Sequence, residues 1–66
     1  MPNFFLLHSL LDLAKVGLQG AMVFVDRLQS EEQNSLIKDE LKDLETLISD
    51  AIVLIQDIKD KLSQEQ

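Results

Sequence analysis

Between Leu36 and Leu62 the apolar positions Ile37, Leu41, Leu44, Ile48, Ala51, Ile55, Ile58 and Leu62 follow one another at alternating intervals of four and three. That spacing returns to the same side of an α-helix every two turns, so it predicts an amphipathic helix with a heptad seam. A second seam precedes it: Leu7, Leu11, Ala14, Leu18, Ala21, Val25 and Leu28, with the same alternation. Beside this earlier seam runs a parallel row, Leu6, Leu10, Leu13, Gly17, Gly20 and Phe24. Two adjacent apolar rows make a face wider than a two-stranded coiled coil needs. The first helix is therefore expected to meet neighbours on more than one flank.

The two seams cannot belong to one continuous helix. Extended beyond Leu28, the first would fall on Glu32, Ser35, Asp39 and Lys42, all polar. The second is out of phase with it by an offset that no single stutter or stammer repairs. A turn resolves the conflict, and Ser30-Glu31-Glu32-Gln33 has the form of a capping box, with Ser30 as N-cap and a later start at Asn34 or Ser35 as the alternative. Glu31 and Glu32 would then sit in a first turn, where the helix dipole favours negative charge, while Lys59 and Lys61 lie toward the positive-favouring far end. Asn3 is the candidate cap at the start of the chain. The expected layout is a single domain: helix 1 over about 3–29, a turn over about 29–34 and helix 2 over about 31–63. A turn so short makes the helices antiparallel neighbours.

The chain is 66 residues long, with no cysteine and one histidine. A core this small is marginal alone, and disulfides and thiolate metal sites are unavailable, so oligomerisation is the remaining device. The predicted fold is all-α: an antiparallel two-helix hairpin that dimerises into a four-helix bundle. Both seams, together with Gly17, are assigned to helix packing and the dimer interface. Gly17 and Gly20 each cost about 1 kcal/mol against alanine in a helix interior, which a close helix contact would offset. Phe4, Phe5, Val16, Val23 and Val53 lie off the seams and are the candidate partner-binding residues.

Charge narrows the list of partners. Twelve acidic residues oppose six basic ones, and the whole net charge of −6 falls from Glu31 onward. Such a surface repels phosphate backbones and anionic headgroups, so neither nucleic acid nor membrane is the expected partner. Met1 to Leu13 has no Lys or Arg and is interrupted by His8, Ser9 and Asp12, unlike a secretory signal. A cytoplasmic location is expected.

No catalytic, cofactor-binding or metal-binding motif is present. His8 and Asp12 share a helix face four residues apart, a spacing that a solvated pair explains. The carboxylates Asp39, Glu40, Asp43, Glu45, Asp50, Asp57 and Asp60 are interleaved with Lys38, Lys42, Lys59 and Lys61, as on an ordinary solvated face. The pattern predicts a non-enzymatic interaction or adaptor module that binds itself and another protein through apolar helix faces. Two alternatives are an amphipathic membrane-surface protein using helix 1, and an acidic decoy of a nucleic-acid-binding site.

Overall fold

A computed structural model describes residues 3–65. Two helices account for nearly all of them: α1, Phe4–Glu31, and α2, Ser35–Glu65. They form an antiparallel hairpin about 50 Å long and 15 Å across. The protein is all-α, as the paired seams require.

Asn3 caps α1, its side-chain oxygen accepting from the Leu6 amide at 3.0 Å. The other end departs from the expected turn. Ser30 does not cap α2; it lies inside α1 and donates from Oγ to the Arg27 carbonyl at 2.8 Å. The Glu32 amide closes α1 by donating to the Leu28 carbonyl, also at 2.8 Å. Asn34 caps α2, its Oδ1 accepting from the amides of Leu36 and Ile37. Glu32 supports the connection by accepting from the amides of Gln33 and Asn34. The physical reason is local: nothing breaks α1 before Glu32, and asparagine caps as well as serine.

The displaced start has an electrostatic consequence. Glu31 ends at the last turn of α1, where the dipole disfavours a carboxylate, and its ion pair with Arg27 at 3.7 Å offsets this. The first turn of α2 holds no acidic residue, and Lys59 and Lys61 stand short of its last turn.

The core is thin. Among the described residues, Leu11 and Val25 of α1 and Ile48 and Ile55 of α2 are the buried ones, and all four lie on the two seams. Around them Leu7, Ala14, Leu18 and Ala21, with Leu41, Ala51, Ile58 and Leu62, are half-buried. Leu28, Ile37 and Leu44 lie on the seams yet remain exposed, because the helices leave them at the edge of the contact.

Candidate interaction surface

Three contacts between α1 and α2 define how the hairpin is rotated. Lys59 Nζ donates to Asp12 Oδ1, forming an inter-helix ion pair. Lys15 Nζ donates to Gln56 Oε1 at 2.8 Å, and Gln56 Nε2 passes the chain on to Asp60 at 3.0 Å. Glu45 faces Asp26, and a hydrogen bond to that carboxyl, then desolvation and the like charge, push Glu45 above the usual carboxylate range. Asp12 is shifted the other way, held low chiefly by its hydrogen bond from Lys59. In each of these pairs the two residue numbers add to 71, so one register runs the length of the hairpin.

These contacts all lie along one edge. At about 100° per residue, Asp12, Lys15 and Asp26 sit roughly 60–120° to one side of the buried Leu11 and Val25. Glu45, Gln56 and Lys59 sit to one side of Ile48 and Ile55 on the facing helix. Because these flanks touch, the remaining flanks must share the opposite edge. There α1 presents Leu10, Gly17, Phe24 and Leu28, and α2 presents Leu44, Leu47, Ala51 and Leu54. This second edge is apolar and uncovered: Phe24 is 69% exposed, Leu47 65% and Leu54 58%. An open groove of the same character, lined by Ile37, Leu41, Leu44 and Leu47 with Glu40 and Asp43, runs along the turn-proximal half of α2.

Gly17 and Gly20 do not mark a close approach within the hairpin. A methyl group added at either would meet no atom within 4 Å. The glycines leave a notch at the middle of the exposed row, open to whatever lies outside.

The five off-seam residues divide. Phe5, Val16 and Val23 are exposed on one line along the outer side of α1, since steps of eleven and seven residues return to nearly the same angle. Phe4 is turned toward the α2 side and is partly covered, and Val53 stands alone on α2. Sequence spacing puts Lys15 and Asp26 on the polar side of helix 1 but does not show that they pair across the helices with Gln56 and Glu45. The signal of the edge is positional: each polar edge residue of α1 lies one residue after a seam residue.

Among the described residues no group of three His, Asp or Glu side chains converges as a metal site would require. No described helix is long and apolar enough to cross a membrane. The chain matches no protein-family model, no curated protein and no solved structure.

Proposed function

We propose that this hairpin is a non-enzymatic, cytoplasmic protein–protein interaction module that works by offering apolar helix surface to other helices, its own copies included. The observation that carries the reading is the division of the hairpin into two edges. Along one, charged and amide groups are paired across the helices; along the other, large apolar side chains stand in solvent. Exposed contiguous apolar surface is costly to solubility and is retained where it makes contact. Docking of apolar helix positions spaced three, four and seven apart into a partner's groove is a common recognition mode. A heterologous partner is assigned to the outer line of Phe5, Val16 and Val23.

Affinity capture from the native host tests this, comparing the wild-type chain with a Val16→Asp/Val23→Asp variant. Both positions are exposed, so the variant should keep its helix content while losing the proteins that the wild type retains. Retention of the same proteins by a folded variant would show that the outer line is not the binding surface.

A further inference from the structure

We infer that the apolar edge is covered by a second copy of this chain, related to the first by a twofold axis perpendicular to the helices, so that the two turns lie at opposite ends. The inference rests on the interaction-module reading only in taking that edge to be a contact surface.

Surface area indicates a second copy of similar size. The hairpin exposes 5243 Å². A compact monomer of its 7.5 kDa would expose about 4,250 Å². A compact protein of twice the mass exposes about 7,000 Å², so two hairpins reach that value by burying roughly 3,400 Å² between them. That lies inside the range of about 2,000–5,000 Å² typical of obligate homodimers.

The pattern of α2 supplies the symmetry. Glu40, Leu47, Leu54 and Lys61 recur every seventh residue along its exposed flank. Read backwards, the row has apolar residues where it has them forwards, with opposite charges at its two ends. Antiparallel to its own copy, α2 lays Leu47 on the partner copy's equivalent of position 54, and Glu40 on the equivalent of position 61. The centre of that pairing falls between Asp50 and Ala51.

The hairpin register then fixes what happens on α1 with no further choice. The level that matches the centre of α2 lies between Gly20 and Ala21, because contacting residue numbers add to 71. About that centre, Phe24 of one copy falls on Gly17 of the other, and Leu13 falls on Leu28. The largest exposed side chain in the row thus enters the notch where an added methyl would meet nothing in the isolated hairpin.

The other symmetric arrangement, with both turns at one end, lays α1 on α2. The same register would then bring Glu40 against Glu31 and leave Lys61 beside Leu10. Like charges replace opposite ones, so charge complementarity selects the opposite-ended dimer. Within one hairpin Lys61 bonds to Asp57 at 3.1 Å, an exposed pair that dimerisation can share.

The chain has no cysteine, so a single Gln33→Cys variant carries one spin label, placed in the turn. Sedimentation at micromolar concentration should give a dimer. Pulsed dipolar spectroscopy on it should place the two labels roughly 40 Å apart, from 1.5 Å of rise per residue on either side of the axis. A separation under about 20 Å overturns the arrangement while leaving self-association in place. A monomer at every concentration overturns the second copy altogether; if that monomer still captures host proteins through Val16 and Val23, the interaction reading survives. A charge swap gives an independent readout. Glu40→Lys or Lys61→Glu alone should weaken the dimer about two- to fivefold, as expected for an exposed ion pair, and the double variant should recover. Failure of the double variant to recover counts against the pairing.

Discussion

The two edges of the hairpin are built from the same helices and obey the same register, yet they differ in how they meet water. On one, Lys59 reaches Asp12 and Lys15 reaches Gln56, so polar groups bridge the helices at the rim of the core. On the other, Leu10, Phe24, Leu47 and Leu54 face outward with nothing over them. Solvated ion pairs contribute little to stability, with typical values of about 0–1 kcal/mol. Apolar side chains gain about 1.5–3 kcal/mol each when fully buried. The polar edge therefore marks how the helices are rotated at little gain in energy, while the energy that could make the fold robust is held in the edge left open.

The largest effect is expected from a change in the core that both edges share. Ile48 is buried in the middle of the seam, and Ile48→Asp places there a carboxylate with no partner. Cooperative unfolding, followed by circular dichroism, should vanish, because an unpaired buried charge costs several kcal/mol in a fold with four buried side chains among the described residues. Leu18→Asp should cost less, since Leu18 is only half-buried in the hairpin. A normal melt for Ile48→Asp would mean that the seam is not the core.

Next in size is a charge on the open edge. Phe24 is well exposed in the single hairpin, so Phe24→Asp should scarcely disturb contacts between α1 and α2. If a second copy covers that edge, the dimer should weaken by about 2–4 kcal/mol, a loss of roughly thirty- to a thousandfold in affinity. Sedimentation equilibrium reads this directly. An unchanged dimer would detach the open edge from self-association.

The seams were legible in the sequence because a spacing of four and three admits one periodic structure, and the side chains buried among the described residues lie on them. The need for a turn was equally legible, since the two seams are out of phase. Its chemistry was not. Ser30 and Asn34 both carry capping side chains, and the choice depends on the Glu32 amide finding the Leu28 carbonyl, a backbone event with no side-chain signature. The rotation of α1 was also hidden. With two adjacent apolar rows, either could face α2, and the spacing alone does not choose between them. For the same reason the glycines read as a tight contact, whereas in the hairpin they border open space.

Gly17→Ala has two expected effects of opposite sign. In the isolated hairpin the added methyl touches nothing, and reduced freedom of the unfolded chain should stabilise the helix by about 0.5–1 kcal/mol. Under the phenyl ring of a second copy the same methyl overpacks, at a cost of about 1–3 kcal/mol to the dimer. Melts at low concentration should therefore rise while the dimer dissociation constant increases about tenfold, as 1.4 kcal/mol would give. A tighter dimer would place the notch outside the interface.

The smallest effects belong to the polar edge, and they come as a pair with opposite pH behaviour. Asp12 is held low by the hydrogen bond from Lys59, so its contribution is present above the ordinary aspartate range, about pH 4, and is lost as pH falls through its lower folded value. Asp12→Asn should accordingly lower the melting temperature at pH 7, with the deficit fading in acid. Glu45 is pushed up by its hydrogen bond to Asp26, so the bond helps only while Glu45 is protonated and is lost as pH rises through its raised folded value. Above that value the like charge of Asp26 works against the contact. Glu45→Gln removes one charge and supplies an amide donor to Asp26, so it should raise the melting temperature at pH 7. That gain should shrink as pH falls through Glu45's raised folded value. Melts of both variants against wild type from pH 7 to pH 3 should give difference curves that approach zero from opposite sides. Curves of the same sign at pH 7 would mean that the edge does not hold one attractive and one repulsive contact, and the register that relates it to the open edge would lose its support.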